Sequence, residues 1–172
     1  MTIIAATRPP VLTAALAAIL AALLVSCGAQ DPSRDGSGTI TTAGDTRLLN
    51  LRAGDCIGNL RKSLDNPDGG ANGVPLVRAV PCSQDHDAEI LLFAPIGDGE
   101  EWPGYLVVSG AAASGRPELQ RRLLAADVDP VKLFSFTPTE NRWNFEDQKE
   151  IVYVALFEQP RAGALKAFSG GA

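Results

Sequence analysis

The chain has 172 residues, of which 45% are apolar, and a formal net charge of −5 at pH 7. This length suits one globular domain with additional segments. The acidic balance and the lack of a polybasic stretch argue against nucleic acid as a partner and against attraction to anionic lipid headgroups.

The first 26 residues are typical of a secretory signal peptide. Arg8 is their only charge, and residues 11–25 form an uncharged, mostly apolar run. A helix that spans a bilayer needs roughly 18–20 such residues, so this run is short for a membrane anchor. The segment therefore predicts an exported, extracytoplasmic protein.

Cys27 follows this run directly. Leu24-Val25-Ser26-Cys27 resembles the lipobox of bacterial lipoproteins, in which an apolar residue and two small ones precede the cysteine. The resemblance implies that Cys27 carries a diacylglyceryl group and becomes the first mature residue, anchored at the outer face of the cell membrane. An ordinary signal peptide with a spare cysteine and an uncleaved membrane helix are the alternatives.

Cys56 and Cys82 are the other two cysteines. The mature chain would have 146 residues and a net charge of −6, because Arg8 is lost. One even pair in an exported chain predicts a single disulfide. Its loop of 27 residues corresponds to roughly 3.5 kcal/mol of stability on the chain-entropy model. Two free thiols or a redox pair are the alternatives, although no Cys-x-x-Cys spacing is present.

The segment that follows the lipid site is polar. Residues 27–46 are rich in Gly, Ser, Thr and Asp, which predicts a flexible linker before a folded domain at residues 47–160. The strand at 74–80 is expected near an edge, and 149–158, apolar on both faces, is expected at the centre of a sheet. Apolar or alternating segments predict strands at residues 48–51, 74–80, 88–94, 131–137 and 149–158.

A helix is predicted at residues 117–126, with Pro117 in its first turn and an apolar inner face. The small-residue segment at 105–115 is ambiguous between a closely packed helix and irregular structure. Residues 161–172 are expected to form a flexible tail. This order predicts a small α+β domain with a mostly antiparallel sheet, one or two packed helices and one disulfide.

Two groups of residues form a recognisable pattern. The more specific group is Gly54-Asp55-Cys56 followed by Val77-x-x-Val80-Pro81-Cys82-Ser83-x-x-His86-Asp87-Ala88-Glu89, and the weaker one is Pro103-Gly104 with Pro138-Thr139 before Trp143. Together they resemble the septum-formation family of actinobacterial envelope domains. The resemblance covers residues 48–158. It implies an extracytoplasmic, membrane-associated α+β domain with a link to cell division, and it brings no catalytic activity or cofactor.

Members of that family carry a second cysteine pair, with one cysteine in the helical segment and the other in the last strand. Residues 105–127 and 149–158 contain no cysteine. Val152 and Tyr153 stand near the expected position in the last strand. Apolar packing is therefore expected to replace the second disulfide.

The main candidate site is Asp85-His86-Asp87 with Glu89, which contains the only histidine. A carboxylate beside an imidazole could form a general base, but Ser83 lacks the Gly-x-Ser-x-Gly elbow of a nucleophile. His86 and Glu89 would supply two metal ligands on a helix, yet a strand is expected here. No catalytic residue, metal ligand or cofactor is therefore predicted.

The favoured interpretation of this segment is structural or partner-binding. Asp85 or Asp87 can accept hydrogen bonds from backbone amides of the turn, and His86 can satisfy groups beside the disulfide. Glu89 is expected to pair with Arg52 or Arg78 across the sheet.

Trp102 and Trp143 lie beside predicted turns. They could stack on sugars of the cell wall, although a half-buried core position is the more common role of such tryptophans. The acidic residues Asp98, Glu100 and Glu101 are expected to form a solvated loop, with cation binding as the alternative.

The leading functional hypothesis is a non-enzymatic, lipid-anchored extracytoplasmic protein whose domain binds an envelope partner. A role in cell division or septum formation is implied by the resemblance alone. The alternative is a ligand-binding lipoprotein that captures a cell-wall fragment or a small solute, and the third hypothesis is an enzyme that uses His86. A pocket lined by the two tryptophans would favour ligand binding, and an exposed apolar patch would favour partner binding.

Overall fold

The computed structural model describes residues 30–65, 75–126, 132–165 and 168. The predicted signal peptide and Cys27 lie outside the described residues. The strands are β1 (Ser33–Arg34), β2 (Ile40–Thr42), β3 (Gly44–Arg47), β4 (Cys56–Ile57), β5 (Leu76–Val80), β6 (His86–Pro95), β7 (Lys132–Phe136) and β8 (Glu150–Arg161). The helices are α1 (Leu60–Asp65), α2 (Tyr105–Ala125) and α3 (Glu140–Phe145), and a 3-10 turn covers Leu48–Asn50.

Six strands form one antiparallel sheet in the order β3-β5-β4-β6-β8-β7, and β1 pairs with β2 in a separate hairpin. The predicted fold class, α+β with an antiparallel sheet and one disulfide, is confirmed. β8 lies between β6 and β7, and every residue from Ile151 to Phe157 is buried. The prediction of a central strand in this segment is therefore confirmed.

Each face of the sheet carries its own apolar core, because side chains of a strand alternate between its two faces. One core contains the even-numbered residues of β8 from Val152 to Leu156, with apolar residues of β2, the 3-10 turn and α1. The other contains the odd-numbered residues from Ile151 to Phe157, together with residues of α2 and with Leu165 and Phe168.

The prediction of a flexible linker at residues 27–46 is wrong for the described part, residues 30–46. β3 pairs with β5 at the edge of the sheet, and Ile40 of β2 is only 4% exposed. Arg34 of β1 donates to both carboxylate oxygens of Asp55, at 2.9 and 2.6 Å. Composition misled here because a short edge strand needs few bulky residues. The folded domain therefore begins well before residue 47.

The strand expected near an edge at residues 74–80 is β5 (Leu76–Val80). It is the second strand of the sheet, next to the edge strand β3, which agrees with that prediction. The strand expected at residues 48–51 is absent: Leu48–Asn50 form the 3-10 turn, whose Leu48 is fully buried, and Leu51 is the extended residue that follows it.

The predicted flexible tail at residues 161–172 is wrong at its start. Arg161 still belongs to β8, and Leu165 and Phe168 are only 2% and 8% exposed. These two residues close one end of the core between the sheet and α2.

Residues 105–125 form one continuous helix, α2. The ambiguous segment at 105–115 is therefore helical, and Pro117 lies inside the helix rather than in its first turn. The hydrogen bond that proline removes would have used the carbonyl of Ala113, which is exposed and can bind water instead. Among the described residues, no helix combines the length and the apolar character that a membrane crossing requires.

Candidate functional site

The disulfide predicted between Cys56 and Cys82 is present and joins β4 to the turn after β5, with the Cα atoms 5.3 Å apart. Gly54 turns the chain into β4 at a φ of +86°, a left-handed conformation that glycine adopts without strain. Its N–H donates to the carbonyl oxygen of Ile90 at 2.8 Å. The turn before the disulfide is thereby tied to β6.

Asp87 holds the start of α1. Its carboxylate oxygens accept hydrogen bonds from the N–H groups of Leu60 and Arg61, at 2.8 and 3.0 Å. N–H groups in the first turn of a helix have no partner within the helix itself. The expectation that an aspartate accepts backbone amides here is confirmed for Asp87, but α1 supplies the amides rather than the turn. Asp85, the residue directly before β6, is exposed.

His86 begins β6 and is only 1% exposed. Its Nδ1 lies 2.9 Å from the carbonyl oxygen of Gln84, and because a carbonyl oxygen only accepts, Nδ1 carries the proton. The ring meets Phe157 edge-on, with the ring centroids 5.7 Å apart. In the neutral ring Nε2 is an acceptor, and it has no hydrogen-bond partner among the described residues.

Glu89 is fully buried. Its Oε2 accepts a hydrogen bond from the N–H of Leu165 at 2.8 Å, and its Oε1 has no partner within the described part of the chain. Burial raises the pKa of Glu89 to about 7, while the Leu165 N–H and the positive charge of Arg161 oppose that rise. The expected pairing with Arg52 or Arg78 is wrong, because Glu89 is bonded to the C-terminal segment instead.

Cys56, His86 and Glu89 meet beside the disulfide. One atom from each, a sulfur, a ring nitrogen and a carboxylate oxygen, lies within 4.8 Å of the other two. None of the three residues is more than 1% exposed, so a substrate in solution has no direct route to the imidazole. The arrangement is suited to holding a proton or a cation in the interior.

Trp102 and Trp143 are brought together edge to face, with ring centroids 5.7 Å apart. Trp143 lies on α3, is 3% exposed, and donates from Nε1 to the carbonyl oxygen of Glu100 at 3.2 Å. Trp102 is partly exposed. The pair fixes the loop before α2 against α3, and only Trp102 has surface left for stacking.

Two of the cavities formed by the described residues flank the sheet. The larger of these two, of about 760 Å³, lies against the β1–β2 hairpin and the disulfide and is lined in part by Arg52, Cys82 and Phe168. The smaller, of about 340 Å³, lies between α2 and the sheet. Neither of these two cavities is lined by Trp102 or Trp143.

Sequence reasoning missed three residues that build this region. Arg34 bonds Asp55 beside the disulfide, Arg61 donates to the carbonyl oxygen of Phe157 at 2.6 Å, and Leu165 donates to Glu89. Arg34 and Arg61 stand in polar segments that carry no pattern. The only available signal for Leu165 was its apolar side chain within a tail of small residues.

Comparisons of the chain with protein-family models, with curated proteins and with solved structures give no match. The resemblance to the septum-formation family therefore stays a prediction.

Proposed function

We propose that this chain is an exported, lipid-anchored, non-enzymatic protein whose domain binds another protein of the cell envelope. The observation that carries the proposal is a run of three large apolar residues at the start of α2. Tyr105, Leu106 and Val107 are 74%, 84% and 54% exposed, and Phe145 at the end of α3 is 81% exposed. Exposed apolar clusters of this kind mark interaction surfaces. We call these four residues the apolar patch.

The contact between the two tryptophans supports treating the patch as one region. Trp102 lies three residues before Tyr105, Trp143 lies two residues before Phe145, and the two indole rings are in contact. The exposed residues of α2 and α3 therefore flank one packed junction. A junction that is already ordered loses little conformational freedom when a partner binds.

An acidic loop borders the patch. Asp98, Glu100 and Glu101 are exposed, and the hydrogen bond from Trp143 to the carbonyl of Glu100 keeps this loop beside α3. A partner is therefore expected to present an apolar centre with lysine or arginine at one side. The net charge of −5 also disfavours an acidic partner.

Burial of the only histidine supports a role without catalysis. His86 is 1% exposed, and its Nδ1 donates a hydrogen bond to the carbonyl oxygen of Gln84. A general base must reach the proton that it removes, and this imidazole faces the core. The link to cell division belongs to the proposal only through the resemblance of the segment from Cys82 to Glu89 to the septum-formation family.

Photo-crosslinking in intact cells tests the patch. A photoreactive residue replaces Leu106 in one variant and Leu124 in the control, two positions of α2 that are 84% and 77% exposed and about 27 Å apart along the axis. We expect an envelope protein crosslinked at position 106, lost when Phe145→Ser is added, and no product at position 124. Equal products at both positions, or none at either, would contradict the proposal.

The anchor has its own test. Cys27→Ala removes the sulfur that would carry the diacylglyceryl group, so the variant should move from the membrane fraction to the soluble extracytoplasmic fraction. A variant that stays with the membrane would favour an uncleaved signal helix instead.

The larger cavity favours the alternative function, capture of a cell-wall fragment or small solute. Its volume of about 760 Å³ falls within the range of small-ligand sites, and Arg52 on its wall supplies a positive charge for an anionic group. Under this alternative, wall fragments that carry carboxylates raise the melting temperature of the wild type but not that of Arg52→Ala. Under the leading proposal neither protein shifts.

A further inference from the structure

We propose that the buried cluster beside the disulfide is a latent site for a zinc-type divalent cation, which becomes complete when the Cys56–Cys82 bond is reduced. The ligands are the two freed thiolates, Nε2 of His86 and Oε1 of Glu89. Sulfur, imidazole and carboxylate donors in a set of four suit a borderline-soft, tetrahedral ion. This site lies away from the apolar patch and does not depend on partner binding.

Two of the ligands are already oriented, each through its other polar atom. Nδ1 of His86 donates to Gln84, and Oε2 of Glu89 accepts from Leu165, at 2.9 and 2.8 Å. Metal-bound imidazoles and carboxylates are commonly held by such outer contacts, which aim the remaining atom at the metal.

The other polar atom of each side chain, the one that would bind the metal, is buried without a hydrogen bond among the described residues. Nε2 of His86 and Oε1 of Glu89 have no hydrogen-bond partner in the described part of the chain, and their residues are at most 1% exposed. A buried polar atom without a partner costs roughly 1–3 kcal/mol. A cation would satisfy both atoms at once.

The donor atoms lie near the spacing that a tetrahedral ion needs. One ligand atom each of Cys56, His86 and Glu89 lies within 4.8 Å of the other two, and Cys82 is outside this group but bonded to Cys56. Ligands at zinc distances lie roughly 3.3–3.8 Å from each other, so movements of about 1 Å bring the nitrogen and oxygen into place. The two sulfur atoms must instead move apart, which requires reduction. The larger cavity is lined by both cysteines, though not by His86 or Glu89, so a cation would first meet the sulfur side of the site.

Completion of the site needs a dithiol reductant. The dithiol transfers two electrons and two protons to the Cys56–Cys82 bond, which breaks into two thiols, and the dithiol itself becomes a disulfide. The cation then displaces the two thiol protons, which pass to solvent. In the oxidised protein only His86 and Glu89 remain, and two ligands are too few to hold the ion.

Cobalt(II) and zinc titrations of the full chain, with and without a phosphine reductant, test the site. We expect the reduced protein to bind one ion, with the visible bands of tetrahedral cobalt and a sulfur-to-metal charge-transfer band, and the oxidised protein to show neither. Glu89→Gln should weaken zinc binding by about tenfold or more. Asp85→Asn, which changes an exposed carboxylate four residues away, should bind as the wild type does.

A reduced chain that has lost its fold could also bind metal through its cysteines and histidine. Tryptophan fluorescence and near-ultraviolet circular dichroism therefore accompany each titration, and zinc should raise the melting temperature of the reduced protein. Three outcomes overturn the proposal: no binding by the reduced protein, equal affinity in wild type and Glu89→Gln, or binding only after the tertiary signal is lost.

Discussion

Asp87 connects β6 to α1 through one carboxylate, which accepts the N–H groups of Leu60 and Arg61. The residue is only 8% exposed, so alanine in its place leaves two donors unpaired near the core. Hydrogen bonds to a charged group contribute roughly 1.5–3 kcal/mol. We expect Asp87→Ala to lower the free energy of unfolding by about 2 kcal/mol in urea denaturation.

Asp85 provides the matched control for this prediction. It is the same residue type, two positions earlier, and it is exposed. Asp85→Ala should change the free energy of unfolding by less than about 0.5 kcal/mol. Equal losses for the two variants would contradict the assignment of Asp87 as the group that holds α1.

Glu89 should make the oxidised, metal-free protein less stable as the pH rises. Its pKa is about 7 in the folded protein, against an ordinary value of 4.5, because burial disfavours the charged form. Between these two values the folded protein keeps a proton that the unfolded chain has released. The contribution of Glu89 to stability is therefore complete below about pH 4.5 and is lost as the pH rises to about 7, by roughly 3 kcal/mol.

The variant Glu89→Gln isolates this effect. The amide oxygen can still accept from the N–H of Leu165, the side chain no longer titrates, and the neighbouring His86 and Arg161 are unchanged. Urea denaturation in the presence of a chelator should show the wild type losing stability relative to the variant between pH 4.5 and 7. A difference that does not vary with pH would show that Glu89 is already charged in the fold.

At the scale of elements, α2 packs on β8 through Gly115. A Cβ at this position would overlap the hydroxyl and ring of Tyr153, whose hydroxyl donates to the carbonyl oxygen of Ala112 at 3.0 Å. Overpacking of a core costs roughly 1–3 kcal/mol. Alanine has a higher helix propensity than glycine, by up to about 1 kcal/mol. We nevertheless expect Gly115→Ala to lower the free energy of unfolding, because the overlap with Tyr153 outweighs that gain.

Gly110 and Tyr153 supply the controls. Gly110 lies on the same helix with open space around it, so Gly110→Ala should raise stability by roughly 0.5–1 kcal/mol. In a Tyr153→Phe background the oxygen nearest to the new methyl group is gone, and the loss caused by Gly115→Ala should shrink. Additive effects in this double-mutant cycle would refute the packing explanation. The same contact joins the helical segment and the last strand, the two segments in which packing is expected to take the place of a second disulfide.

The elements that could be predicted are those whose own residues show an apolar pattern typical of a buried element. β8 is predictable because it is apolar on both faces, and the Cys56–Cys82 disulfide because these two cysteines remain as one pair once Cys27 is set aside. β3, with the sequence Gly-Asp-Thr-Arg, shows no such apolar pattern, because an edge strand is stabilised by its backbone pairing. In α2, Pro117 was interpreted as a start although the helix tolerates it internally.

The candidate site was predicted only as far as local chemistry reaches. An aspartate near a turn is a good acceptor for backbone amides, which identified Asp87 as a capping group but not the helix that it caps. The contact between Glu89 and Leu165 joins residues 76 positions apart. No local pattern encodes such a pair, because it depends on how β8 returns the chain to β6.

At the scale of the whole molecule, the N-terminal segment at residues 30–47 completes the domain. It buries Ile40 in the core, pairs Arg34 with Asp55 and covers the edge of β5 with β3. Burying one isoleucine contributes roughly 1.5–3 kcal/mol, and a partly buried charged hydrogen bond adds roughly 1.5–3 kcal/mol. A chain that begins at residue 48 should therefore be at least about 3 kcal/mol less stable than one that begins at residue 30.

Urea denaturation of the two truncated chains, both with the disulfide intact, measures this difference. The uncovered β5 should also make the shorter chain associate through its exposed edge, which light scattering at increasing concentration would detect. Arg34→Ala in the longer chain should lower the free energy of unfolding by the part that comes from the Arg34–Asp55 ion pair, because the buried carboxylate of Asp55 then lacks its cation. If residues 30–46 were a flexible linker, both chains would be equally stable and monomeric. Equal stabilities would therefore show that the folded domain begins at residue 47.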